Sequence, residues 1–304
     1  MTPTAIALAA LLLDAALRGS VLLLLAWGAT RLVRRAPAAA RHLVWCAALG
    51  GVVLLPVLGA VVPRWRVLPA AARVPAMDAP TLSAPAAPAA SYPATDVVPA
   101  PLPSSVGEVA TAPSVPAAMR PESPGAPDWR VLLLLAWAAG ALLLVLRLGY
   151  GLARVWWLER RATEITDDAW VRTVDGLARR LRVGRIVTLL RGPGATVPMT
   201  WGWIRPVVLL PEEADAWDDE RRTAVLAHEL AHVRRWDALT QWVAHLATAL
   251  FWFNPLVWVA CSRLREEREH ACDDAVLAMG TQPTRYADHL LQIVRTLGPS
   301  TVPS

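Results

Sequence analysis

His228-Glu229-Leu230-Ala231-His232 spells His-Glu-x-x-His inside an apolar, helix-forming run. On a helix, residues four apart share a face, so both imidazoles can hold one metal ion. Glu229 lies one step round, where it can reach a water on that ion rather than the ion itself. Two histidine ligands, an open coordination position and a neighbouring carboxylate are the parts of a zinc peptidase. The flanks suit a helix as well. Asp218 can cap it, Asp219 and Glu220 complement its positive N-terminal end, and Val225, Leu226, Leu230 and Val233 recur at helical spacing.

Such a site needs a third protein ligand. Asn254-Pro255 reads as an N-cap followed by proline at the first helical position. The helix it opens should run to about Met279, with Gly280 as its stop. Along it, Glu269 and Asp273 are one turn apart on the same face. Glu269 suits the ion, and Asp273 suits orienting a ligating histidine from behind. Spacing alone leaves Glu266, Glu267, His270 and Cys272 as rival donors, and a solvated acidic face paired with arginines is the plainer alternative.

The runs VLAHELAHVRRWD, FWFNPLVW and EHACDDAVL, in that order, resemble the integral-membrane zinc peptidases of the BlaR/MecR type, the bacterial beta-lactam sensor-transducers. The segment Val197 to Pro211 is similar to the strand region that precedes the zinc helix there, and the resemblance covers residues 130 to 297. It implies a small α+β zincin-like (gluzincin) peptidase domain with zinc held at His228, His232 and Glu269 and Glu229 as catalytic base. More distantly, the chain resembles the Ste24/HtpX-type membrane proteases, which share Glu-x-x-x-Asp after the zinc helix.

Composition points to a membrane protein, mainly α-helical and multi-pass. The chain has 304 residues, 55% of them hydrophobic, and a mean hydropathy of +0.38, too apolar for an ordinary soluble domain. Every basic residue is arginine. The net charge of +5 would be compatible with nucleic acid, but the arginines flank apolar spans, where they orient the chain in a bilayer. No direct nucleic-acid partner is expected. Cys46, Cys261 and Cys272 have no paired spacing, so no disulfide framework is expected. Cys46 and Cys261 read as packing residues, and Cys272 as a thiol lining the site.

Three segments can cross a bilayer: one within Ala5 to Val33, a second from His42 to Val62, and a third from Trp129 to about Leu152. No positive charge precedes the first, so a signal peptide is not expected. Arg31, Arg34, Arg35 and Arg41 crowd the link between the first two spans, and Arg147, Arg154, Arg160 and Arg161 attend the third. The positive-inside rule places both clusters in the cytoplasm and the N-terminus outside the plasma membrane. Asp14 and Arg18, one turn apart, read as an ion pair near the outer interface.

The domain boundaries expected are residues 1–62 for the first two spans, 63–128 for an extracytoplasmic loop, 129–158 for the third span, and 159–304 for the peptidase. The loop holds more than half of the chain's 26 prolines and reads as linker-like sequence without a core of its own. In the peptidase, Asp167 or Asp168 should cap a helix with Trp170, Val174, Leu177 and Leu181 on one face. Arg185 to Leu190 and Pro206 to Leu210 read as short strands. Such a sheet beside the zinc helix could align an extended peptide by strand addition, or simply cover the helix.

Residues 236–260 are apolar enough for a fourth crossing, but a single crossing would put Glu269 on the opposite side of the bilayer from His228 and His232. A membrane-dipping helical hairpin that turns near Asn254-Pro255 keeps all three on the cytoplasmic side. His245 within it reads as a core or interfacial residue. Pro283 to Leu297 should be a short amphipathic helix with Tyr286, Leu290, Ile293 and Leu297 inward. Beyond it the sensor-transducers continue through a further crossing into an external penicillin-binding domain. No counterpart of that domain follows in this sequence, so beta-lactam sensing is not expected to carry over.

The expected function is zinc-dependent endoproteolysis at the cytoplasmic face. By resemblance, the substrate would be a transcriptional repressor of the BlaI/MecI type or the chain itself. Quality-control proteolysis of membrane proteins, as in the Ste24/HtpX type, is the rival within the enzymes. A signalling scaffold with a structural zinc is the rival from another class, and Glu229 weighs against it because a structural site needs no base.

Overall fold

Long, strongly apolar runs become long helices, and they dominate the architecture. The computed structural model of the protein describes residues 3–61, 129–193, 195 and 197–296. Helices α1 (Pro3–Leu32), α2 (Ala38–Val61) and α3 (Trp129–Arg161) contain the stretches Leu8–Leu32, Ala38–Gly59 and Val131–Arg161, each long and apolar enough to cross a membrane. Two of them exceed the sequence expectation. α2 starts at Ala38 rather than His42, which brings Arg41 and His42 into its first turn. α3 continues past Leu152 and past residue 158 to Arg161, because Leu158 near its end is buried against the sheet beyond. Asp14 and Arg18 do pair, at 3.0 Å, on an exposed face of α1.

After α3, the described residues combine four short strands with five α-helices and a 3-10 turn at Glu212–Ala216. β1 (Thr163–Glu164), β2 (Thr188–Arg191), β3 (Met199–Trp201) and β4 (Val207–Leu210) form one sheet in the order β1-β2-β4-β3, with β2 and β4 parallel and both edge strands antiparallel. The sequence reading started β2 at Arg185, three residues early, and missed β1 and β3, which are too short to show an alternating pattern. Every residue of β4 is buried. Val208 and Leu210 join Leu189 in a core with α4 (Asp168–Leu181) and α5 (Asp219–Arg235). Val207 and Leu209 pack with Leu190 and Leu158 on the other face. A central strand covered on both sides must be apolar throughout.

Local caps set the helix boundaries. Asp167 Oδ1 accepts from Ala169 N and Trp170 N to start α4, whose buried face is Trp170, Val174, Leu177 and Leu181. Asp218 accepts from Arg221 N at 2.7 Å to start α5. α5 ends at Trp236, held at φ +60°, a left-handed conformation rare for a bulky side chain. The Arg185 guanidinium stacks 3.9 Å from the Trp236 ring and also donates to Val233 O, a carbonyl at the end of α5 that accepts from Trp236 N as well.

The turn at Trp236 launches α6 (Asp237–Leu250), which meets α7 (Pro255–Ala278) at a break over residues 251–254. Asn254 caps α7 through Leu256 N, and Gly280 past its end has φ +96°. Phe251, Val257 and Ala260 at this break are fully buried among Leu49 and Val52 of α2 and Ala15, Ala16 and Leu23 of α1. Across the tip, Trp137 of α3 donates to Leu250 O, and Trp252 donates back to Trp137 O. α8 (Pro283–Thr296) follows, with Tyr286 buried against α5 and α7. The proline-rich segment 63–128 and Leu297 lie outside the described residues, as do the side chains of Leu290 and Ile293.

Candidate metal centre

α5 and α7 pack against each other and bring three donor atoms to one point. His228 Nε2 and His232 Nε2 are 3.2 Å apart, and Glu269 Oε2 lies 3.6 and 3.7 Å from them. Ligands held about 2.0–2.1 Å from a tetrahedral ion such as zinc stand roughly 3.3 Å from one another. The triangle therefore has the dimensions of a metal site. Its chemistry also fits. Behind His232, Asp237 Oδ2 accepts from Nδ1 at 2.8 Å. Behind His228, Nδ1 faces Tyr286 Oη at 2.9 Å and Asp273 Oδ1 at 3.2 Å. Tyr286 gives its single proton to Asp273 at 2.7 Å, so its oxygen accepts from the imidazole. With both Nδ1 atoms donating, a neutral ring turns its Nε2 lone pair toward the other ring and the carboxylate oxygen, an arrangement that suits a cation; without a metal, a proton on His228 takes that place.

Each expected residue can now be located. Glu269 uses its other oxygen, Oε1, to accept from Arg268 at 3.0 and 2.8 Å, which leaves Oε2 turned toward the histidines. Burial alone would raise its carboxyl, but hydrogen bonds from His228 and Arg268 outweigh that and hold it down at about 2. Burial would lower His228, yet its hydrogen bonds to Asp273 and Glu269, with the charge of Glu229, carry it up to about 10 in the metal-free protein. Asp273 lies on the Nδ1 side of His228. The rival donors are elsewhere: Glu266 pairs with Arg263, Glu267 with Arg41, and His270 is exposed. His245 is exposed on α6, away from the triangle.

Cys272 is buried behind the His232 ring, 3.3 Å from Nδ1 and 3.7 Å from Asp237 Oδ2. Burial first, and then the Asp237 charge, push its thiol up, and its Sγ lies against His232 Nδ1, the nitrogen that faces away from the triangle. His232, Asp237 and Cys272 could in principle hold an ion of their own, but Asp237 is already committed to the Nδ1 proton.

Glu229 is 8% exposed and accepts from Thr200 Oγ1 of the edge strand β3 at 2.5 Å. Sequence reasoning missed Thr200, Asp237 and the contact of Tyr286 with His228. Asp237 follows the second histidine by five residues, and only the left-handed turn at Trp236 folds it back onto that ring. Thr200 and Tyr286 come from other elements and carry no local signal. Tyr286 was recognisable only as an inward residue of an amphipathic helix.

The BlaR1 peptidase M56 family matches residues 10–303. Regulatory protein BlaR1 of Bacillus licheniformis is 29% identical over 141 residues, covering 46% of this chain and 24% of that protein. Methicillin resistance mecR1 protein of Staphylococcus aureus is 26% identical over 98 residues, 31% of this chain and 17% of that one. The chain thus spans a quarter or less of the length of these relatives. With its apolar helices, its paired histidines and a match along nearly its whole length, the chain belongs to the BlaR1 peptidase M56 family of membrane metallopeptidases.

Proposed function

We propose that this protein is a zinc-dependent endopeptidase whose site opens at the cytoplasmic face of the plasma membrane. The observation that carries this reading is the triangle of His228, His232 and Glu269 donors with Glu229 beside it. Zinc, when bound, supplies positive charge that polarises a peptide carbonyl and acidifies a water. Glu229 takes the proton from the attacking water and delivers it to the leaving amine. Thr200 fixes one oxygen of Glu229, so the other is free for this transfer. Asp273 with Tyr286, and Asp237, hold the two imidazoles in the tautomer that ligates.

The zincin-like peptidase occupies residues 159–304, and residues 236–260 form a hairpin that dips into the membrane. Asn254 at its tip donates to Ser20 Oγ at 2.9 Å. Ser20 is midway along the apolar stretch Leu8–Leu32, about 18 Å of helical rise from its end. That depth supports a hairpin that enters and leaves on the side of the arginine-rich link 31–41, with the N-terminus and the loop 63–128 outside.

The relatives are named a regulatory protein and a methicillin resistance protein. This supports a signalling role in which the substrate is a cytoplasmic repressor of the BlaI/MecI type or the chain itself. Glu229→Gln tests the reading. The variant should keep its zinc and its fold but lose cleavage of a co-expressed repressor and of itself. Cleavage at the wild-type rate would sink the peptidase mechanism and leave a structural zinc as the remaining explanation.

A further inference from the structure

Two consecutive residues near the start of α2 reach α7, which carries Glu269, and Asp237 at the start of α6, which backs His232. Arg41 Nε donates to the two carboxylate oxygens of Glu267 at 2.8 and 2.9 Å, two residues before Glu269 on α7. His42 is 2% exposed, and its Nε2 lies 3.9 Å from Asp237 Oδ1. The other oxygen of Asp237 is the one that accepts from His232 Nδ1 at 2.8 Å.

Asp237 is 3% exposed, and its Oδ1 has no hydrogen-bond partner. A buried carboxylate oxygen is costly to leave unmatched. The polar groups facing it are the His42 ring and Arg235 Nε, at 3.5 Å. The Cys46 thiol, one turn along α2, lies 3.5 Å from His42 Nδ1 and 3.7 Å from Nε2. If the thiol donates to Nδ1, the His42 N–H is Nε2–H, on the side of Asp237. An ionisable side chain in an apolar spanning helix is expensive unless it has a task. A leucine would fill the same volume without that expense.

We propose that His42 is a positioning residue for the metal site. With Arg235, its ring walls in Asp237 Oδ1, which confines the carboxylate so that Oδ2 keeps the His232 ring with Nε2 turned toward the ion. With Arg41 gripping Glu267 beside it, the start of α2 bears on both sets of ligands. A shift of this spanning helix along its axis therefore alters the metal geometry. The inference rests on the zinc reading above and assigns to α2 a part in it.

The test is a double-substitution cycle on the full chain in detergent, read as zinc affinity by competition with a chromophoric chelator. Asp237→Asn should weaken zinc binding about tenfold or more, and His42→Ala by a smaller factor of the same kind. In the Asp237→Asn background, His42→Ala should cost nothing further, because its route to the metal is gone. The visible spectrum of the cobalt-loaded protein should shift with His42→Ala, while His42→Gln, which keeps an N–H donor, should restore much of the affinity. If His42→Ala does not fold, His42→Leu takes its place in the cycle. Wild-type zinc affinity in the folded His42 variant, or an equal loss with and without Asp237, overturns the inference while leaving the zinc site intact. A wild-type chain that takes up no zinc overturns the peptidase reading and this inference with it.

Discussion

Asn254 at the break between α6 and α7 donates to Ser20 in the middle of α1, and the same side chain caps α7 through Leu256 N. One residue thus starts the helix that carries Glu269 and ties it to a spanning helix. Asn254→Ala should lose about 1 kcal/mol for the cap and about 0.6 kcal/mol for the interhelical bond. Ser20→Ala should lose only the second amount. Thermal unfolding in detergent measures both, and equal losses would mean that the cap contributes nothing.

Topology can be checked with single cysteines in a variant lacking Cys46, Cys261 and Cys272. A cysteine at Ala90 should react with an impermeant thiol reagent on intact cells. Cysteines at Thr163 and Ser300 should react only after lysis. Labelling of Ser300 but not Thr163 in intact cells would rule out the hairpin, and with it Glu269 as a ligand.

For the metal, Glu269→Gln should release most of the zinc from purified protein, and Asp273→Ala should weaken binding about tenfold or more. Full zinc content in Glu269→Gln would move the third ligand elsewhere. Metal analysis after gel filtration decides it.

Thr200→Val should leave zinc content unchanged and slow cleavage, because Glu229 loses the donor that fixes one of its oxygens. A general base contributes about 10²–10⁴-fold, so the loss should be a fraction of that seen in Glu229→Gln. Equal rates for Thr200→Val and wild type would show that the orientation of Glu229 does not depend on β3.

His228 also makes the metal-free protein sensitive to alkali. Its folded value of about 10 stands above the ordinary 6.5, so the folded state holds that proton more tightly than the unfolded chain. The resulting stability is fully present below pH 6.5 and is lost as the pH rises through about 10. Zinc-loaded protein, in which His228 ligates as a neutral ring, should lack this decline. Melting curves of both forms across that window, if parallel, would contradict it.

A methyl at Gly140 would collide with the Trp252 ring. Gly140→Ala should therefore force α3 away from the hairpin tip and cost about 1–3 kcal/mol. Adding Trp252→Leu should recover part of the loss, which unfolding measurements on the double variant would reveal.

Periodicity and spacing were enough for the parts of this protein that depend on neighbours in the chain. Helical spacing alone puts His228, Glu229 and His232 on one turn, and the runs that form α1, α2 and α3 are apolar enough to span. Caps such as Asp167, Asp218 and Asn254 bond to backbone groups two or three residues away, so local sequence determines them too. Spacing left five donors open on α7. The choice of Glu269 depends on how α7 packs against α5, on Arg268 turning one oxygen inward, and on Arg41 and Arg263 engaging Glu267 and Glu266. The Arg268 and Arg263 contacts are local, but Arg41 with Glu267 joins residues far apart in the chain, as do Thr200 with Glu229, Tyr286 with His228 and His42 with Asp237. No periodicity encodes them, because each exists only once helices and strands from distant segments have packed. The ligand types were therefore written locally, while their orientation, tautomers and link to the spanning helices were decided by the tertiary structure.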